Sequence, residues 1–308
     1  MIRTRGLTKT YGRVTALSNL SLDIEEGEIF GYIGPNGAGK TTTLKILATL
    51  LQPTCGSARI AGYEVGTDSK KIRPLIGYMP DFFGVYEDMS VNEYLTFFAA
   101  AYGRTGDSRE RVVNDVLELT DLGGKRDTTI EALSRGMQQR LGLARTLVHD
   151  PKVLILDEPA SGLDPRARIE IRELLKEVRN MGKTIMISSH ILSELSEMCD
   201  SFGILEQGRL VFSGSRNELA RRVATARVAE VAVTERADEA MRLLRTHPAV
   251  QDIAPKDSHL RVTLNAEAED HTFLCPFLME NGFVLTLLRE EEVRLEDLFM
   301  QLTKGEVS

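Results

Sequence analysis

Gly34-Pro-Asn-Gly-Ala-Gly-Lys-Thr41 matches the pattern G-x-x-x-x-G-K-[ST], and its flanks decide how it folds. Before it, Glu28-Ile-Phe-Gly-Tyr-Ile33 is an apolar run rich in aromatic and β-branched residues, which predicts a buried strand. After it, Thr42–Leu51 sets leucines and Ile46 at helical spacing. Gly34, Gly37 and Gly39 let the backbone turn tightly, so that successive N–H groups of the stretch point into a concavity fitted to phosphate oxygens. The helix that follows adds its positive N-terminal end. In this geometry Lys40 reaches the β- and γ-phosphates, and Thr41 offers its hydroxyl to Mg²⁺. The expected nucleotide site is therefore Gly34, Pro35, Asn36, Gly37, Ala38, Gly39, Lys40, Thr41 and Thr42.

At 308 residues, with 42% hydrophobic and 27% charged side chains, the chain has room for one large core or two domains. No apolar run approaches the roughly 18–20 residues needed to cross a bilayer. The N-terminus begins with a strand-like segment, Ile2–Thr8, rather than a secretory pattern, so a membrane role is expected to pass through a partner. Residues 1–225 carry 29 basic and 29 acidic side chains, and residues 226–308 carry 9 and 16, the whole of the −7 net charge. Neither part has the basic field of a nucleic-acid binder. Cys55, Cys199 and Cys275 are widely spaced and odd in number, without zinc or disulfide spacing. All three are expected to be packing residues in a reducing cytoplasm.

From Ile2 to about residue 222 strands and helices alternate, which predicts an α/β domain. Short apolar strands are expected at Ile76–Met79, Val153–Asp157, Thr184–Ser188 and Phe202–Leu205. Helical patterns at Val91–Tyr102, Glu110–Leu119 and Arg135–Val148 form an inserted subdomain over about residues 85–150. Pro165–Asn180 and Ile191–Met198 read as amphipathic helices, and Ser215–Val223 closes the domain. Over residues 226–308 the order is strand (Arg227–Thr234), helix (Asp238–Thr246), hairpin (Val250–Leu264, turning near Asp257-Ser258), helix (Asp270–Asn281), strand (Phe283–Leu288) and a terminal helix (Leu295–Thr303). This predicts a small βαββαβ accessory domain. His259 and His271 are expected at the surface, and Arg289–Arg294 as a solvated charged turn.

Val153-Leu-Ile-Leu-Asp-Glu158 is a buried strand ending in two carboxylates, which need a cation or hydrogen-bond donors there. Beside a phosphate loop that cation is Mg²⁺, held by Asp157 through water, while Glu158 polarises the water that attacks the γ-phosphate. Further motifs follow in order: Leu133-Ser-Arg-Gly-Met-Gln-Gln-Arg140, Ser161-Gly-Leu-Asp164, and His190 directly after Thr184-Ile-Met-Ile-Ser-Ser189, with Tyr11 upstream in Thr10-Tyr-Gly12. Together they make residues 2–220 resemble the ATP-binding subunit of an ABC transporter.

The resemblance implies an α/β fold: a P-loop NTPase ABC cassette with a RecA-like core, an antiparallel β region and an inserted helical subdomain, followed by a small C-terminal α+β domain. It implies ATP hydrolysis with ATP and Mg²⁺ as cofactors. Tyr11 resembles the aromatic on which adenine stacks, and His190 the switch histidine that senses the γ-phosphate. Ser134, Gly136 and Asp164 correspond to residues that reach the ATP of a second cassette. The implied partners are that second ATP-binding subunit, as homodimer or paralogous heterodimer, and separate transmembrane permease subunits. The implied location is peripheral, on the cytoplasmic face of the membrane, with no nucleic-acid partner. The alternative is a soluble ABC ATPase acting on ribosomes or DNA, families that usually fuse two cassettes or insert long coiled coils.

Two motifs depart from the family's common form. Asp81 stands after Ile76-Gly-Tyr-Met-Pro80 where a glutamine is usual; it can still ligand Mg²⁺ but adds negative charge. Arg135 replaces the signature's usual second-position glycine, and Met137 its glutamine. Similar variants resemble the branch serving exporters with separate membrane subunits. The aromatics of Phe82-Phe83-Gly-Val-Tyr86 and Tyr94-Leu-Thr-Phe-Phe98 lie where the family receives a coupling helix, or else fill the subdomain's core.

Overall fold

The computed structural model describes residues 1–82, 84, 88–191, 195, 197–215, 217–219, 228–256, 259–265 and 270–290. The chain divides into two compact units, residues 1–216 and 217–302.

In the first unit β1 (Ile2–Tyr11) and β2 (Val14–Ile24) pair antiparallel, and β3 (Ile29–Ile33) leads through the glycine loop into α1 (Lys40–Leu47). β4 (Cys55–Ile60) and β5 (Tyr63–Glu64) join β1 and β2 in a sheet of order β2-β1-β4-β5. A short helix, α2 (Ser69–Ile72), precedes β6 (Ile76–Met79). The helical subdomain contains α3 (Val91–Ala101), α4 (Gly106–Leu119) and α5 (Arg135–Leu147). β7 (Val153–Asp157), α6 (Pro165–Asn180), β8 (Thr184–Ser189), β9 (Ser201–Glu206) and β10 (Arg209–Ser215) follow. The second sheet runs β10-β9-β3-β8-β7-β6 and is parallel except for β10.

The patterns explain these layers. β3 and β7 are buried at every position, as strands covered on both faces must be. β2 instead alternates near its end, burying Leu20, Leu22 and Ile24 and exposing the residues between. Leu44, Ile46 and Leu47 of α1 share one core with Leu20 and Leu22 of the antiparallel sheet and Ile155 of β7. α1 begins two residues before the predicted helix and stops at Leu47; Thr49 takes a left-handed φ of 61°.

In the subdomain, Ser90 and Glu93 form a capping box that starts α3. Two residues one turn apart on or just beyond α5 lock onto two aromatics one turn apart on or just beyond α3. The Arg145 guanidinium lies 5.3 Å from the Phe98 ring centroid and donates to Tyr94 Oη at 3.3 Å. The His149 ring stacks on Tyr102 at 3.8 Å, with Nε2 2.8 Å from the Ile76 carbonyl oxygen of β6. Burial holds the His149 imidazole below its usual pKa, which fits Nε2–H donating to that carbonyl. Of the predicted aromatic groove, Tyr94 is core and Phe98 half-buried, while Phe82 and Phe97 are exposed; Phe83 and Tyr86 lie outside the described residues.

The second unit contains β11 (Val228–Val233), a helix Ala237–Leu244, β12 (Val250–Lys256), β13 (His259–Leu264), a helix Leu274–Glu280 and β14 (Leu285–Glu290). The sheet order β12-β13-β11-β14, antiparallel throughout, is the split βαβ arrangement of ferredoxin-like folds. Both helices bury Ala240, Leu244, Leu274 and Leu278 against Ala229, Val231 and Val262 of the sheet. The helix expected at Asp270 starts only at Leu274. Leu295–Thr303 and the 257–258 turn lie outside the described residues.

Two expectations fail. Cys55 is exposed rather than packed, because β4 presents it to solvent. Of the predicted charged turn, Arg289 and Glu290 instead extend β14, where Arg289 meets the Glu230 side chain, 4% exposed on β11, and residues 291–294 lie outside the described residues. Lys256 Nζ lies 2.9 Å from Glu230 Oε1, and Arg289 Nε donates to Oε2 at 2.6 Å. Hydrogen bonds from Lys256 first, then Arg289, hold this carboxyl at about 2 against an ordinary 4.5. A depressed folded-state pKa gives stability that is complete above pH 4.5 and lost as pH falls toward 2. The free energy of opening of β11 amides, measured by hydrogen exchange, should therefore decline over that window and lose this decline in Glu230→Gln.

Candidate active site

The register of the parallel sheet assembles the site. Ile33 of β3 pairs with Ser189 of β8, and Asp157 of β7 with Ser188. The residues that follow each strand, Gly34, Glu158 and His190, thus emerge at one edge, where open α/β sheets bind ligands. Two glycines of the loop are required by contact. A Cβ on Gly34 would lie 2.4 Å from the Leu205 carbonyl oxygen, and one on Gly39, whose φ is 103°, 2.5 Å from that of Ala16.

Lys40 is nearly buried at the first turn of α1, and its ammonium is held by oxygens on several sides. Nζ donates to the Gly34 carbonyl at 2.6 Å and the Pro35 carbonyl at 3.3 Å, and lies 3.4 Å from Glu158 Oε1. The other carboxylate oxygen of Glu158 is 2.8 Å from His190 Nδ1. Glu158 takes a left-handed φ of 51°, unusual for a side chain of its size, directly after β7 ends. Asp157 is 1% exposed; it accepts from Ser188 Oγ at 2.7 Å, and Ser188 Oγ in turn accepts from the Glu158 N–H at 3.0 Å.

A pocket of about 330 Å³ opens here, lined by Pro35, Asn36, Gly37, Gly39, Lys40, Thr41 and Thr42 together with Ala16, Asp81, Glu158, Ser161 and His190. Partial burial of the Asp81 carboxyl, then the charges of Asp157 and Glu158, raise its pKa. Tyr78 carries a buried hydroxyl without a hydrogen-bond partner among the described residues, its pKa pushed up to about 12 by burial and then by the charges of Asp157 and Asp81. Gly34, Ala38 and Asp157, expected in the site, do not line the pocket. Tyr11 is 48% exposed, with Lys9 Nζ 5.3 Å from its ring centroid, and does not line the pocket.

The signature residues are elsewhere. Ser134 caps α5 by accepting from the Met137 N–H at 3.3 Å, and Asp164 caps α6 through the Arg166 and Ala167 N–H groups. Ser134, Gly136 and Asp164 line a second pocket of about 460 Å³ that shares no residue with the first.

Ser188, Ser161 and Ala16 are site residues the sequence reading passed over. Ser188 carries a usable signal, a hydroxyl directly after the apolar run Ile185-Met186-Ile187; Ala16 carries none. Ser188→Ala leaves the Glu158 N–H without its acceptor and Asp157 without a donor. It should cost about 1–3 kcal/mol, seen as a lowered thermal midpoint.

Residues 17–161 match the ABC transporter family. The chain is 30% identical over 305 residues to the linearmycin resistance ATP-binding protein LnrL of Bacillus subtilis, covering 98% of each chain. It is 39% identical over 215 residues to the Nod factor export ATP-binding protein I of Burkholderia orbicola, covering 70% of this chain and 71% of that one. A solved ATP-binding subunit of an ABC transporter superposes with a TM-score of 0.65 at 31% identity, covering 72% of this chain and 92% of that one. A dimeric cassette in a post-hydrolysis state, bound to ADP and Pi, gives 0.64 at 28%, covering 70% and 98%. A relative matched along almost the whole length, on top of a phosphate loop faced by two strand-end carboxylates, leaves one conclusion: this chain belongs to the ABC transporter family, as an ATP-binding subunit that hydrolyses ATP.

Proposed function

We propose that the chain is one of two cassettes that face each other head to tail on the cytoplasmic side of a membrane and drive export through separate transmembrane subunits. The observation that carries this reading is the division of the site into two pockets. A triphosphate seated on Lys40 finds on its own chain Glu158 and His190, but not Ser134, Gly136 or Asp164. A second cassette placed head to tail supplies them, and the solved neighbour with ADP and Pi is dimeric. Adenine would stack on Tyr11, whose exposed ring is open to it. Among the described residues no helix is long and apolar enough to cross a membrane, so the transport path is assigned to partner subunits. Export follows the relatives, named for Nod factor export and linearmycin resistance. Phe97 and Tyr102 would receive the membrane subunit at the subdomain.

The residues present suit Mg²⁺. Among the described residues no three Asp, Glu, His or Cys side chains converge as a metal cage, and Mg²⁺ in such sites takes one or two carboxylates plus substrate phosphates. Thr41, Asp157 through water, and Asp81 would hold it, and the bound ion would neutralise charge on the phosphates. The orphaned Tyr78 hydroxyl beside these carboxylates offers one further donor for an ordered water.

Phosphate oxygens would take over Lys40 from its carbonyl partners and from Glu158. Glu158, still held by His190, then accepts a proton from water as the water oxygen bonds to the γ-phosphorus. The bond to the bridging oxygen breaks, and ADP departs with the electron pair.

Glu158→Gln should lower turnover by about 10²–10⁴-fold and hold the chain as an ATP-loaded dimer in light scattering; a monomer under saturating MgATP overturns the reading. Asp81→Gln should alter turnover or its stimulation by the membrane subunits, and unchanged kinetics would remove Asp81 from the site.

A further inference from the structure

We propose that Arg135 is an additional contact to the triphosphate held by the partner cassette, with Gly162 as the seat that holds its guanidinium ready. The proposal rests on the head-to-tail reading above and names a residue that reading does not use.

Arg135 is the first residue of α5, between Ser134 and Gly136, and it is exposed at the second pocket. Its guanidinium lies against Gly162, in the loop after Glu158. A Cβ on Gly162 would be 2.4 Å from Nη2, 2.9 Å from Cζ and 3.0 Å from Nη1. Gly162 also has a φ of 67°, so a glycine is favoured there twice over, once by conformation and once by the arginine above it.

The charges around Arg135 are already matched to one another. Asp164 accepts from the Arg166 and Ala167 N–H groups. Glu170 pairs with Arg140 and with Arg166, and Asp121 with Arg140. Arg135 alone among the pocket's arginines has no hydrogen bond or ion pair among the described residues. A cation left uncompensated beside a capped helix N-terminus is suited to an anion that arrives from outside the chain. A planar fork matches phosphate oxygens two at a time. Held across Gly162, Arg135 also ties the start of α5 to the loop carrying Asp164, so the fork and the other residues assigned to the partner's nucleotide are presented together.

The test uses the full chain carrying Glu158→Gln, with the MgATP concentration at half-maximal dimerisation read by light scattering. MgADP affinity of the single chain, read by calorimetry, serves as the control for folding and for the chain's own phosphate loop. Arg135→Gln should raise the half-maximal MgATP concentration about tenfold, Arg135→Lys should recover most of that loss, and MgADP affinity should be unchanged. If Ser134→Ala weakens dimerisation and Arg135→Gln does not, the role of Arg135 is overturned and the head-to-tail reading stands. If neither weakens it, both fall. A parallel loss of MgADP affinity in Arg135→Gln also overturns the proposal, since the effect then lies within one chain.

Discussion

A nearly buried ammonium must have oxygen partners, and the arrangement of this cassette follows from how Lys40 finds them. Two are backbone carbonyls of its own loop, at Gly34 and Pro35, and the third is Glu158. Leaving such a charge unpaired would cost several kcal/mol. Under the proposed mechanism, Glu158 would thus stay occupied by the lysine until phosphate oxygens replace it. The same Glu158 is fixed from its other side by His190, and from its backbone by Ser188. On that mechanism, the group proposed to activate water would be under the control of the group proposed to hold the phosphates.

Much of this was legible in the chain because it depends on local rules. The phosphate loop is legible because its glycine spacing is itself local: Gly37 and Gly39 take the positive φ angles, 84° and 103°, that favour glycine. β6, β7 and α6 are found where expected because each is an apolar or amphipathic run bounded by clear stops. β2 and β4 were harder to read: their alternation is broken by polar positions, and they acquire their meaning only as partners of β1. Ala16 enters the site through close approach of segments far apart in sequence, which no local pattern records, and the local signal at Ser188 does not say that β8 pairs it with Asp157. Arg289 was misread for the same reason; its charge is explained by Glu230 on a neighbouring strand.

The second unit applies one economy of its own. Its helices cover one face of the sheet, and on β11 the alternation that buries Ala229 and Val231 in that core turns Glu230 the other way. Lysine and arginine side chains from β12 and β14 bridge over that carboxylate, so three strands are joined by charge on one face and by apolar packing on the other.

The paired locks between α3 and α5 have a mechanical meaning. Arg145 on Phe98 and His149 on Tyr102 fasten the two segments at two points one turn apart, which opposes rotation of either about the other. His149 is also bonded to the carbonyl of Ile76, at the root of the strand that runs on to Asp81. If a membrane subunit docks on the exposed Phe97 of α3, as proposed, these contacts would pass its push to the helix that Ser134 caps and to the strand leading to Asp81. In that reading one lever would have an arm in each of the two pockets.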